Sequence, residues 1–210
     1  MTWLTWLEQG RDVKASASVC SRLAQALQLN SAERASLFEL ANRRNPDLLN
    51  DPTHEFTAEF LGLPHLISGP AYILDHTWTA KAWNASAAEL FHGWLDAGNQ
   101  DRNLLHFMFL AVEARSFIVD WPQRAARLVA EFRADYNRYL GDADLVALVE
   151  DLASKSPEFK HYWRASAGFE REGGVREFHH PVRGRLVYLQ TTLLTPTQLS
   201  AKLVCLMQQS

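Results

Sequence analysis

Two arginines lie inside otherwise apolar segments of this 210-residue chain, and their chemistry suits the binding of an anion. Arg115 belongs to the apolar stretch that begins at Leu104, and Arg133 lies in a helical pattern further along the chain. A guanidinium group donates two parallel hydrogen bonds to a carboxylate, so either arginine could hold the polar head of an amphipathic ligand. An ion pair with Asp120 or Glu131 explains these arginines at least as well.

Aromatic residues recur at helical or strand spacing through the same part of the chain. Taken singly, each is explained by a packed core. Together they exceed what a small core requires, and apolar pockets with a few polar anchors are typical of ligand sites. With Arg115 and Arg133, the predicted ligand-binding residues are Phe91, Phe107, Phe117, Trp121, Phe132, Tyr136 and Tyr188.

Other kinds of chemistry have little support in the sequence. His179 and His180 are adjacent on a predicted strand, so they point to opposite faces and cannot both bind one metal ion. No GxSxG motif provides a serine nucleophile. Cys20 and Cys205 are far apart on segments predicted to face the core, where a thiol acts as a small apolar group. We expect no metal site, no catalytic residue and no cofactor other than a bound lipid.

Composition indicates a globular protein that works in the cytoplasm. Hydrophobic residues make up 47% of the chain, which is enough for a substantial core. No apolar run approaches the roughly 20 residues that span a bilayer, and no secretion signal opens the sequence. The net charge of −3 is unfavourable for a nucleic-acid binder as a whole, but residues 1–44 carry six basic and four acidic residues.

The first 45 residues predict three short helices. Residues 2–10 form the first, which ends at Gly10. The second begins after the capping residue Ser16, and the third begins at Asn30 with Glu33 as its capping-box partner. The predicted apolar positions of the last two helices are Val19, Leu23, Ala26 and Leu27, then Leu37, Leu40 and Ala41.

Residues 46–69 predict a linker with one short helix, because Asn, Asp and Pro are frequent there. Residues 70–210 predict one α+β domain, in which a hairpin precedes several helices and three strands follow them. Asn84, Asn103 and Ser156 are predicted helix caps, and Trp121 with Pro122 begins a long helix. We expect a five-stranded antiparallel sheet with helices on one face and a cavity between them.

The motif of residues 5–41, TWLEQGRDVKASASVCSRLAQALQLNSAERASLFELA, resembles the last part of the Xre-type helix-turn-helix of MmyB-like bacterial regulators. This resemblance implies that Thr2, Thr5, Arg11 and Lys14 contact DNA. It also implies two further helices upstream, so we expect either a late start or a truncated head, and poor DNA binding by the chain as it stands. Reading the DNA upstream of Met1 would distinguish these cases.

Residues 70–208 resemble the PAS-like ligand-binding domain of the same regulators. The resemblance lies in residues 82–84 (AWN), 102–105 (RNLL), 156–159 (SPEF) and the pair His180 and Pro181, in this order. It implies a homodimeric transcriptional regulator whose sensor domain binds a small apolar ligand similar to a fatty acid. A stand-alone ligand-binding or protein-interaction module without DNA binding is the alternative.

Overall fold

The computed structural model describes residues 16–41, 56–139, 142–165, 174–195 and 198–209. The chain divides into two compact units, residues 1–52 and 53–210. This division falls within the segment that the sequence analysis treats as a linker. The predicted DNA contacts Thr2, Thr5, Arg11 and Lys14 lie outside the described residues.

Two helices are described in the first unit, α1 (Ala17–Ala26) and α2 (Ser31–Leu40). The hydroxyl of Ser16 accepts a hydrogen bond from the Val19 N–H and so caps α1. Asn30 and Glu33 form the predicted capping box, in which each side chain accepts a hydrogen bond from the other residue's backbone N–H, at 3.0 and 2.9 Å.

The buried faces of these two helices differ from the predicted ones. Cys20, Ala24 and Phe38 are buried, whereas Leu27 and Leu40 are exposed. The predicted apolar stripe was therefore placed about one residue away from the face that packs, because neighbouring apolar positions fit a helical period nearly equally well.

The second unit contains the predicted five-stranded antiparallel sheet, which confirms the α+β class. The strand order is β2-β1-β5-β4-β3, so the last strand in sequence lies at the centre. The helices between β2 and β3 give the succession that the resemblance to PAS domains implies. The strands are β1 (Ala71–Leu74), β2 (Ala80–Trp83), β3 (Gly174–His180), β4 (Gly184–Thr195) and β5 (Gln198–Gln208).

The helices of the second unit begin largely at the predicted caps. Asn84, Asn103 and Ser156 each accept hydrogen bonds from backbone N–H groups of the helix that follows. Within the described ranges these helices are α3 (Ala58–Gly62), α4 (Ala85–Leu90), α5 (Leu104–Leu110), α6 (Val112–Phe117), α7 (Trp121–Tyr136), α8 (Ala143–Lys155) and α9 (Pro157–Arg164), with 3-10 turns at Leu63–Leu66 and Asn137–Tyr139.

The main core lies between one face of the sheet, which we call the inner face, and helices α4 to α9. Its largest fully buried side chains include Trp94, Tyr188, Phe132 and Phe159. Trp121 donates its indole N–H to the Met108 carbonyl at 3.0 Å, which ties the start of α7 to α5.

A smaller core covers part of the opposite, outer face of the sheet. Phe60 of α3 packs there against Ile73 of β1 and against Ala201 and Leu203 of β5. The short helix that the sequence analysis assigned to the linker is therefore attached to the sheet. A Cβ atom at Gly69 would lie 2.3 Å from the Leu206 carbonyl oxygen, so only glycine fits where this segment joins β1.

Asn84 links this outer segment to the hairpin. Its amide N–H groups donate to three backbone carbonyls of the segment from Pro64 to Gly69, and its Oδ1 accepts from the Ala71 and Ala87 N–H groups. One cap residue therefore holds a helix start, a strand start and the covering segment together. None of the helices in the described ranges combines the length and the apolar composition that a bilayer crossing requires.

Candidate ligand-binding site

A cavity of about 110 Å³ lies between the inner face of the sheet and helices α5 and α7. Its inner part is lined by apolar and aromatic side chains, and burial raises the pKa of the Tyr72 hydroxyl well above its ordinary value. A ligand group that enters this part meets almost no charge. The apolar lining consists of Tyr72, Leu74, Trp78, Phe91, Leu104, Phe107, Met108, Ile118, Leu128, Phe178, Val204 and Leu206.

The opening of this cavity is polar. Arg124, Arg127 and Glu131 lie on one face of α7, three or four residues apart, with Leu128 between them. Across the opening, Arg176 of β3 has the same strand parity as the buried Phe178, so it faces inward. Gln190 and Thr192 of β4 and Lys202 of β5 complete the polar lining.

Arg176 is held in place by its neighbour on β4. Its Nε donates to the Gln190 side-chain oxygen at 2.8 Å, and the Gln190 amide donates to the Thr192 hydroxyl at 3.1 Å. Burial lowers the pKa of Arg176, while the negative charge of Glu131 acts in the opposite direction. An anion at this point would stabilise the charged guanidinium, which has lost part of its hydration.

A second, polar pocket of about 320 Å³ adjoins the cavity and shares Arg124, Arg127 and Arg176 with it. Asp120 and Gln123 at the start of α7 and Glu177 of β3 also line this pocket. Glu177 is already bound by Arg185, with a nitrogen to oxygen distance of 2.6 Å. The three shared arginines therefore mark the boundary between an apolar compartment and a polar one.

A buried charge pair stands at another side of the cavity. Asp135 of α7 is 4% exposed, accepts a hydrogen bond from the Trp78 indole N–H at 3.0 Å and forms an ion pair with Lys202. The Lys202 ammonium lies 4.2 Å from the centre of the Trp78 ring. This group joins α7, the β1–β2 hairpin and β5, and it compensates the charge that Lys202 brings to the lining.

The structure divides the predicted apolar ligand contacts into two sets. Phe91 and Phe107 line the cavity. Phe117 and Tyr188 lie directly behind it, with ring centroids 4.8 and 6.1 Å from that of Phe178. Of the other three, Trp121 packs against Phe109 and Tyr136 against Trp163, between helices, whereas Phe132 packs against Trp163 and also against the cavity-lining Trp78 of the β1–β2 hairpin.

The predicted head-group arginines require a correction, because neither one lines the cavity. Arg115 forms an exposed ion pair with Glu158, 2.6 Å apart, and lies over the Trp121 ring. This hydrogen bond lowers the pKa of Glu158. Arg133 donates to the carbonyls of Ala165 and Tyr162, at 3.0 and 3.2 Å, and lies over Trp163.

Sequence reasoning missed Arg124, Arg127 and Arg176, although a signal for them exists. On α7 the arginines follow the same helical stripe as Leu128, immediately beside the apolar stripe of Ala125 and Val129. On β3, Arg176 alternates in phase with Phe178. A search for cations that share a face with apolar residues would have included all three, but it would also have included Arg133, which lies beside the same apolar stripe of α7.

His180 and His76 have structural explanations. His180 accepts hydrogen bonds at Nδ1 from the Val182 and Arg183 N–H groups, and its Nε2 lies 3.0 Å from the Glu89 carbonyl. His76, Asp142 and Asp144 offer ligand atoms within 4.8 Å of one another. Asp142 also caps α8, and its other oxygen lies 3.3 Å from His76 Nε2, so a helix cap and an ion pair account for these contacts.

Comparison with known families identifies the second unit. Residues 63–209 match the model of the MmyB-like transcription regulator ligand binding domain, and this range contains the five strands, helices α4 to α9 and the residues that line both pockets. No curated protein matches this chain in sequence. A match over most of the chain shows the family, and the chain therefore belongs to the MmyB-like transcription regulators through their ligand-binding domain.

Proposed function

We propose that this protein is a DNA-binding transcriptional regulator whose second unit senses a small amphipathic anion, for which fatty acids are the first class to test. The observation that carries this proposal is the cavity with an aromatic interior and three arginines at its opening. An apolar tail would lie against Phe91 and Phe107, and its head would lie at Arg124, Arg127 and Arg176. The family match supports a ligand-binding role in a regulator.

Physical chemistry supports this orientation of the ligand. Burial of apolar surface contributes about 25 cal/mol per Å², so the tail supplies most of the affinity. Hydrogen bonds from guanidinium groups to an anion fix the direction, since the reversed orientation would bury a charge among aromatic rings. The ligand acts as a signal in this proposal, and no step of catalysis is part of it.

The DNA-binding part of the proposal rests on the first unit. Residues 5–41 resemble the end of an Xre-type helix-turn-helix, and α1 and α2 begin at the caps predicted from the residues themselves. We propose that the regulator acts in the cytoplasm as a homodimer, because helix-turn-helix heads commonly bind paired half-sites.

Native mass spectrometry and thermal melts with saturated fatty acids of six to fourteen carbons test ligand binding. We expect a bound acid and a raised melting temperature, and a clearly smaller shift in Arg127→Gln. Arg133→Gln is the matched control, because Arg133 lies on the same helix but outside the cavity. Binding that is unaffected by Arg127→Gln would place the head elsewhere, and no shift with any acid would refute a fatty-acid ligand.

Gel-shift assays on the DNA upstream of the protein's own gene test the regulator. We expect residues 1–210 to bind weakly and in a salt-sensitive way, with binding that weakens further in Arg11→Ala and Lys14→Ala and changes when the ligand is added. Light scattering on the same samples reports the oligomeric state. Absence of specific binding under all salt conditions would favour a ligand-binding module that does not contact DNA.

A further inference from the structure

The two compartments of the site differ in size in a way that restricts the ligand. The apolar cavity measures about 110 Å³, whereas the polar pocket that shares its arginines measures about 320 Å³. A cavity of about 150 Å³ in another protein is sufficient for benzene. By this comparison the apolar compartment accepts a group of at most about six carbon atoms, well short of a long acyl chain.

The far end of the apolar compartment is closed by packed aromatic rings. Phe91 makes edge contacts with Phe117 and Phe178, at centroid distances of 6.0 and 5.5 Å, and these two rings stack on each other at 4.8 Å. Trp94 stacks on Phe107 at 5.9 Å and is fully buried. A closely packed interior has low compressibility, so an acyl chain cannot extend past these rings without displacing part of the core.

The polar compartment is suited to a head with more oxygen atoms than a carboxylate has. Its arginines come from two walls, Arg124 and Arg127 from α7 and Arg176 from β3. A carboxylate offers two oxygens, which one guanidinium can occupy, whereas a phosphate monoester offers three strong acceptors to donors on several sides. The pocket also reaches the N-terminus of α7, where Asp120 is the N-cap residue but its carboxylate forms no capping hydrogen bond with the helix.

On these grounds we propose that the ligand of this site is a phosphate monoester of a compact apolar group of about six carbons. This inference rests on the proposed function, because it assigns the tail and the head to the same two compartments. It depends on the volumes of the compartments and on the placement of the three arginines on opposite walls.

Titration with matched probes tests this inference, with calorimetry as one readout and the tryptophan fluorescence of the protein, to which Trp78 in the cavity wall contributes, as the other. The probes are hexyl phosphate, hexanoate, inorganic phosphate and tetradecanoate, each below its micelle concentration. We expect hexyl phosphate to bind at least tenfold more tightly than each of the other three. Arg176→Gln should weaken hexyl phosphate at least tenfold, and Arg127→Gln provides a second variant from the opposite wall.

Arg133→Gln is the matched control, because Arg133 lies on α7, donates to backbone carbonyls of Tyr162 and Ala165 and does not line either compartment. Equal binding of hexyl phosphate and hexanoate, or tighter binding of tetradecanoate, would overturn the inference and leave the proposed function standing. No binding of any probe would overturn both. Loss of binding in Arg133→Gln as large as in Arg176→Gln would also contradict the assignment of the head to this pocket.

Discussion

The two ends of the cavity differ in the chemical character of the residues that line them. At the closed end, aromatic rings touch one another at centroid distances of 4.8 to 6.0 Å. At the open end, Arg124, Arg127 and Arg176 stand partly exposed around a larger polar space. Packing of the closed end stabilises the fold, whereas the open end has charges whose hydration is already reduced. We expect substitutions at the closed end to change stability and those at the open end to change ligand affinity.

The largest expected effect is at the closed end. Phe117→Ala removes a ring that is 6% exposed and that contacts Phe178, Phe91 and Phe107. We expect the free energy of unfolding to fall by about 3–5 kcal/mol, because a cavity replaces the ring. Chemical denaturation measures this change. Arg127→Gln at the open end is the paired variant and should cost less than about 1 kcal/mol, so equal losses would contradict the comparison.

Asp135 and Lys202 test whether a substitution at a charged part of the cavity wall lowers the free energy of unfolding as much as one at the closed end. Asp135→Asn leaves the Lys202 ammonium without its ion-pair partner beside Trp78. We expect a loss of about 2 kcal/mol, below the 3–5 kcal/mol of a fully buried pair, since the Lys202 side chain is 18% exposed. Denaturation of Asp135→Asn and of Asp135→Asn with Lys202→Met measures it. If the double variant is no more stable than Asp135→Asn alone, the charge of the Lys202 ammonium is not the cause of the lost stability.

Alkaline pH should destabilise the protein through Tyr72. Its folded-state pKa is raised above the ordinary value of about 10 by burial, so the folded state keeps the phenol proton that the unfolded state loses. This contribution is fully present below pH 10 and decreases as the pH rises above it. We expect about 1 kcal/mol less stability at pH 11 than at pH 9, and a smaller decrease in Tyr72→Phe. An unchanged decrease in Tyr72→Phe would assign it to other groups.

The smallest effect is expected at the exposed ion pair of Arg115 and Glu158. The pKa of Glu158 is lowered by its hydrogen bond with Arg115, so the contribution to stability is present above pH 5 and decreases as the pH falls through the folded-state pKa. Both side chains are more than a third exposed, which limits the contribution to less than about 1 kcal/mol. Arg115→Ala should therefore leave the melting temperature nearly unchanged at pH 7 and leave ligand affinity intact. A large loss of ligand affinity in this variant would show that Arg115 contributes to ligand binding after all.

Local chemistry made much of the fold predictable. The caps Asn84, Asn103 and Ser156 and the pair of Asn30 and Glu33 act within three residues of the backbone groups that they bind, so their roles can be inferred from spacing alone. The alternation of the last three strands is similarly local. The five-stranded sheet followed from these elements, whereas the attachment of Phe60 to its outer face depends on contacts with β5 far along the chain.

The arginines of the site could not be chosen by the same reasoning. Arg133 was selected because apolar residues surround it in sequence, but it lies where α7 meets α9 and binds backbone carbonyls there. Arg124 and Arg127 lie on the other side of the apolar stripe of α7 and face the cavity. Periodicity locates this stripe but does not tell which of its two sides faces a cavity.

The position of β5 has a consequence for how the protein is made. This strand is central in the sheet, between β1 and β4, yet it is the last of the strands in sequence. Its pairing with β1 joins Ala71 to Cys205, across nearly the whole length of the second unit. Such distant pairing is slow to form, and on the ribosome it cannot form until the final strand has emerged. Helices α4 to α9 are thus synthesised before β3, β4 and β5, and the cavity cannot form until β5 has been made.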